Sequence, residues 1–141
     1  MTRTPLKAII IGAGTGGLTL AQGLKVAGVA VEVYEREHGP TDRQQGYRLS
    51  INPMGCRALK ACLPDAVFAK FIASAAHSSE NVTFLDHHLK RLLAIDVSRD
   101  PHSDVDNERP IGRLALRQVL LEGSCVSAKN SSPSRMRPTV A

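Results

Sequence analysis

Aromatic side chains make up only 4% of this 141-residue chain, and tryptophan is absent. No stacking platform therefore interleaves with basic residues, as binding to single-stranded nucleic acid would require. The formal charge of +5 does not restore that reading, because Lys129, Arg135 and Arg137 supply three of those charges from an acid-free tail. Cysteine is scarce too. Cys56, Cys62 and Cys125 form neither an even disulfide set nor a CxxC pair, so reduced thiols in a cytoplasmic setting are expected. Cys56 and Cys62 stand roughly 240° apart on a helix and do not face each other. No apolar run approaches the roughly 18 residues of a membrane span, and the amino end lacks a signal-peptide pattern. A soluble protein with no membrane partner and no nucleic-acid partner is the expectation.

Catalytic and metal signatures are missing as well. The sequence contains no serine nucleophile elbow, no P-loop lysine and no pair of carboxylates at catalytic spacing. Asp100, Asp104, Asp106 and Glu108 suggest a calcium loop, but Arg109 stands six positions along where glycine is needed and Ala115 at position twelve. His87 and His88 are adjacent, a placement that predicts divergent rings, and no third ligand has metal spacing. No metal site is expected.

What is present is concentrated between Leu6 and Glu35, LKAIIIGAGTGGLTLAQGLKVAGVAVEVYE. Leu6 to Ile11 reads as a buried parallel strand. Gly12, Gly14 and Gly17 follow at GxGxxG spacing, which suits a tight turn, close approach of a pyrophosphate and close packing of helix on sheet. Leu20, Leu24 and Ala27, with Ala21 beside them, predict the apolar stripe of the helix, and Gly28 a left-handed cap. Val31 and Val33 alternate with Glu32 and Tyr34 in a second strand. Glu35 ends it, about 20 residues past the turn, where a carboxylate can accept both hydroxyls of an adenosine ribose. The competing reading is a glycine-rich turn in another kind of α/β protein.

Arg36 to Gln45 reads as a loop, and Gly46 to Ile51 as a half-buried strand with Tyr47, Leu49 and Ile51 on one side. Asn52 and Pro53 predict a helix start, with the helix running to about Leu63. A second helix carries Val67, Phe68, Phe71, Ile72 and Ala75 on one face. Strands are predicted at Val82 to Leu85 and Leu92 to Val97, joined as a hairpin. After the loop from Ser98 to Arg109, IGRLALRQVLLE has helical spacing, with Leu116, Leu120 and Leu121 turned inward. Residues 123–141 contain no acid and no periodicity, and are expected to be disordered.

Taken in order, these pieces resemble the amino-terminal part of the FAD-dependent monooxygenases of the aromatic-ring hydroxylase type. Residues 5 to 122 take part in the match. The resemblance implies an incomplete, Rossmann-like α/β FAD-binding domain over residues 1–122, with the start of a β-rich substrate sheet at 76–99. It implies that the turn residues Gly12, Ala13, Gly14, Thr15, Gly16 and Gly17 bind the pyrophosphate of FAD, and Glu35 with its neighbour Arg36 the adenosine ribose. GYRLSINPMGCRAL is similar to the family's glycine, strand, proline and helix segment, which implies Gly46 and Arg48 near the flavin; a solvated strand position for Arg48 is the alternative. RLALRQVLL is similar to the family's R-x-x-L-x-x-x-L helix, whose leading arginine, Arg113 here, would reach the FAD. The alternative is an exposed helix residue.

The family's later strand, its Asp-Gly segment and its Gly-Asp motif do not occur in this sequence. The leading expectation is therefore a fragment of a flavin monooxygenase, inactive by itself. In intact form it would use NADPH or NADH as electron donor and O2 to hydroxylate a small, aromatic substrate, with the flavin supplying the oxygen chemistry. An NAD(P)-dependent oxidoreductase is the first alternative, since the βαβ unit serves either cofactor. A non-catalytic remnant with weak nucleotide binding, its tail produced by a frameshift, is the second.

Overall fold

The computed structural model describes residues 6–37, 47–77, 79–97, 99–122 and 129–130. Strand β1 (Lys7–Ile11), helix α1 (Thr15–Val26) and strand β2 (Ala30–Glu35) form the expected βαβ unit. The strands run parallel, from Lys7 opposite Ala30 to Ile11 opposite Tyr34. Gly28 lies just past the helix at φ +77°, the left-handed cap anticipated for it.

Both strands turn alternate residues to a single core, so Ala8, Ile10, Val31 and Val33 pack inward together. The opposite face differs from the fully buried strand expected. Ile9 and Ile11 are 62% and 71% exposed, because the helices cover only one face of the sheet among the described residues. On that open face Lys7 Nζ lies 2.6 Å from Glu32 Oε1, and Tyr34 donates to Glu32 Oε2 at 3.2 Å. Glu32 is thereby buried, although alternation had placed it outward.

The apolar stripe of α1 is also displaced from its expected position. Leu18, Ala21 and Gln22 are buried, while Leu20 and Ala27 are exposed and Leu24 is half-buried. The cause is the seating of Gly17 against the turn, which fixes the rotation of the helix and directs Leu18 inward. Leu20 then falls roughly 200° around the axis from it. Gln22 can sit inside because its amide donates to the Leu120 carbonyl at 2.7 Å.

Strand β3 (Arg48–Ile51) leads into helix α2 (Pro53–Cys62). The Asn52 side chain accepts from Gly55 N at 2.8 Å, the anticipated cap, with Pro53 at the first helical position. Leu49 and Ile51 pack on the core, whereas Tyr47 is 85% exposed, just outside the strand and not on its inner face. Helix α3 (Asp65–Ser74) buries Val67, Phe68 and Phe71 and half-buries Ile72, as its spacing predicted.

Strands β4 (Asn81–Leu85) and β5 (Arg91–Asp96) form the anticipated antiparallel hairpin. Every residue in the two strands is exposed, Leu93 and Ile95 included. The turn also brings the His87 and His88 rings to 3.8 Å between centroids, so the two side chains do not diverge.

The run after the 98–109 loop begins as strand rather than helix. Strand β6 (Arg109–Gly112) pairs antiparallel with β3, Arg48 opposite Gly112 and Ile51 opposite Arg109, and helix α4 (Arg113–Glu122) starts only then. Pro110 and Gly112 are poor strand formers, so the partner strand and not local pattern sets this conformation. Helix α4 buries Leu116, Val119 and Leu120 and packs on α1 and α3.

Strand β7 (Lys129–Asn130) pairs parallel with β2, giving the sheet order β1-β2-β7. It corrects the expectation that no element follows residue 122; two residues are too short to show a period in the sequence. The remainder of the tail, residues 123–128 and 131–141, and residues 38–46 lie outside the described residues.

Phe71 is fully buried at the centre of the helical layer, 5.7 Å from Phe68 between ring centroids. Phe71→Ala is expected to cost about 3–5 kcal/mol, and Tyr47→Ala no more than about 0.5 kcal/mol. Urea unfolding followed by circular dichroism measures both.

Candidate functional site

The site is built at the carboxyl ends of β1 and β2. Ile11 hands the chain to Gly12, whose φ of +103° only glycine adopts readily. Gly12 N donates to Tyr34 O at 2.7 Å, which ties the start of the turn to the end of β2. Gly17 allows the helix to close on that turn: a Cβ there would lie 2.1 Å from the Gly12 carbonyl oxygen and 3.3 Å from Ile10. No side chain could be accommodated without moving backbone.

Gly14 caps α1 in an extended conformation and contributes no side-chain bond. The first bond of the helix runs from Leu18 N to Gly14 O at 2.9 Å, so the amides of Thr15, Gly16 and Gly17 precede the intrahelical ladder. No acidic residue lies in that first turn. A Cβ added at Gly12, Gly14 or Gly16 would meet nothing within 4 Å. The positive end of the helix thus begins with amides ahead of the intrahelical ladder and with room for close approach at its glycines, a donor set that fits a pyrophosphate group.

Glu35 closes the other side. Its Oε2 accepts from Ala13 N at 2.7 Å, and its Oε1 accepts from Arg36 N at 2.6 Å and Glu37 N at 3.0 Å. Arg36 therefore meets Glu35 through its backbone, with its own residue surface exposed. Burial alone would raise the Glu35 pKa; the three amide donors and the nearby Arg117 guanidinium outweigh it and hold the carboxyl below its ordinary value.

The arginines singled out in the sequence come together through the β3–β6 ladder. Arg48, exposed, stands opposite Gly112, and Arg113 follows immediately as the first residue of α4. Arg113 N donates to Tyr47 O at 3.1 Å. Gly46 lies outside the described residues.

One turn further along α4 is a residue that sequence reasoning missed. Arg117 Nη2 lies 4.0 Å from Glu35 Oε2, and Nη1 lies 3.8 Å from Glu37 Oε2. The signal was available, since residues four apart share a helix face. Arg113 and Arg117 therefore point to the same side of α4. Among the described residues, no group of three His, Cys, Asp or Glu side chains converges as a metal site. No described helix is long and apolar enough to cross a membrane.

Residues 10–57 match the family model of an NAD(P)-binding Rossmann-like domain. The chain is 41% identical over 93 residues to the FAD-dependent monooxygenase dbaB of Emericella nidulans, a match covering 61% of this chain and 23% of that protein. It is 46% identical over 68 residues to the dual O-methyltransferase/FAD-dependent monooxygenase CTB3 of Cercospora beticola, covering 48% of this chain and 8% of the other. Among solved structures, a Photorhabdus luminescens protein assigned as an FAD-containing monooxygenase superposes with a TM-score of 0.67 at 29% identity, covering 84% of this chain and 28% of that one. Klebsiella pneumoniae HpxO, solved with FAD and uric acid, gives 0.66 at 21% identity over 83% of this chain and 28% of its own, and shares the fold. The chain thus spans less than a third of each of these proteins.

Two outcomes follow from the geometry. Gly17→Ala is expected to lower the thermal midpoint while Gly16→Ala leaves it unchanged or raises it, since only the first forces backbone apart; differential scanning fluorimetry separates them. Glu35, with a folded-state pKa below its unfolded value, contributes stability that is present above the unfolded pKa and is lost as the pH falls through the folded one. The stability gap between the wild type and Glu35→Gln should accordingly narrow from pH 7 to pH 3 in urea titrations.

Proposed function

We propose that this chain, homologous to the amino-terminal part of the FAD-dependent monooxygenases, binds the ADP half of FAD at the turn from Gly12 to Gly17 and at Glu35. The observation that carries the reading is the Glu35 carboxylate seated 2.7 Å from Ala13 N, beside the start of a helix whose first-turn amides precede the intrahelical ladder. In this reading the amides of Gly14 to Gly17 receive the pyrophosphate at the positive helix end. Glu35 accepts the hydroxyls of the adenosine ribose, for which its low pKa keeps it anionic at neutral pH. Arg113 and Arg48, adjacent through the ladder, supply cationic donors toward the rest of the cofactor.

Bound flavin supplies the oxygen chemistry of hydroxylation, while the protein binds, orients and excludes water. The activity of the whole protein, hydroxylation of a small aromatic substrate with NADPH or NADH as donor, extends the proposal beyond the portion of the relatives this chain spans. The exposed hairpin β4–β5 would begin the substrate sheet, and its apolar side chains would be covered in the larger assembly. Cys56 and Cys62, both free, accord with a reducing cytoplasmic compartment.

A second reading is supported by the family match to NAD(P)-binding domains: an NAD(P)-dependent oxidoreductase. Calorimetric titration of the purified chain with FAD, ADP and NADH separates the two. FAD and ADP are expected to compete for one site, with Glu35→Gln weakening both about tenfold, as befits loss of a charged hydrogen-bond acceptor. Tight binding of NADH with no binding of FAD would overturn the flavin assignment.

A further inference from the structure

Arg117 is set between two acids by the fold and is held there at a cost. Its side chain is 16% exposed, and its Nε is buried without a hydrogen-bond partner. Glu35 and Glu37, 14% and 16% exposed, are like charges two residues apart at the end of β2. Burying a guanidinium is unfavourable unless anions face it, and holding two neighbouring carboxylates ionised is unfavourable unless a cation faces them. Each charge answers the other's penalty.

The separations of 4.0 and 3.8 Å are those of ion pairs and exceed hydrogen-bond length. Arg117 therefore does not occupy the Glu35 oxygens as a bidentate fork would. Oε1 and Oε2 are oriented by the amides of Arg36, Glu37 and Ala13, and Arg117 supplies charge from the α4 side. The groups facing Glu35 include the Ala13 amide from the turn after β1, the amides of Arg36 and Glu37 that follow it, and Arg117 from α4.

We propose that Arg117 is the positioning residue of the ribose site: it acts through Glu35, keeping that carboxylate ionised and aimed at the sugar hydroxyls, and so sets the preference for a ribose diol. This rests on the assignment of Glu35 to the adenosine ribose. Arg117 does not itself touch the ligand.

Two measurements on the full chain test it. The first needs no ligand. Carboxyl carbon NMR of Glu35 should give an upward-shifted titration in Arg117→Met, whose side chain fills the same slot without charge, and a near wild-type titration in Arg117→Lys, which keeps the charge. An unchanged Glu35 titration in the Met variant, or a Lys variant that behaves like Met, overturns the proposal. The second compares ADP with 2′-deoxy-ADP by calorimetry. The wild type should prefer ADP about tenfold, a preference expected of one charged hydrogen bond. That preference should collapse in Arg117→Met and persist in Arg117→Lys. A Met variant that loses affinity for both nucleotides equally, with the ratio intact, would assign Arg117 a merely structural part and overturn the proposal. If the wild type binds neither nucleotide, the ribose assignment of Glu35 fails, and with it the positioning role, whatever the titration shows.

Discussion

The seating of Gly17 against the carbonyl of Gly12 is the constraint from which the site follows. Because nothing larger than hydrogen projects from Gly17, α1 can begin directly against the turn. That contact sets the helix rotation, and the rotation decides which residues are core. Leu18 and Ala21 go inward with Gln22, while Leu20 is left to solvent. It also decides where the first-turn amides emerge, beside the carboxylate at the end of β2. Packing and site geometry here are one fact described at two scales.

Electrostatics complete what packing begins. Glu35 is partly desolvated, which by itself disfavours its charge, yet three amides and Arg117 more than compensate. The fold itself thus orients the carboxylate in its ionised form; under the proposed ribose role, this would reduce the reorganisation that binding requires. The arrangement depends on elements distant in sequence: the turn after β1 gives the Ala13 amide, β2 the carboxylate, and α4 the cation.

Local signals were legible where chemistry is local. The Asn52 cap with Pro53, the left-handed Gly28 and the face of α3 around Phe71 could all be read from residue type and spacing, because each depends on neighbours within one turn. The βαβ unit with Glu35 at its end was legible for the same reason. What escaped depends on partners elsewhere. β6 escapes because the pattern ends a loop at Arg109 and begins a helix after Pro110, whereas β3 imposes a strand across both, against the preferences of Pro110 and Gly112. Tyr47 was turned inward by alternation, yet the strand begins one residue later. The Arg117 contact with Glu35 and Glu37 joins positions some eighty residues apart in the chain, and only the shared face of α4 hinted at it. Glu32 was placed outward by alternation, but it is buried with Lys7 and Tyr34 around it.

The bond from the Gln22 amide to the Leu120 carbonyl has a consequence for how the chain acquires its shape. Until α4 docks, the carboxamide on α1 bonds to water, and it can be buried without penalty only when the Leu120 carbonyl replaces that water. On the ribosome, the first thirty-five residues emerge well before residue 120. During that interval the face of α1 that carries Gln22 meets water rather than α4. The native seat of Gln22 is therefore completed only once α4 is in place, late in synthesis.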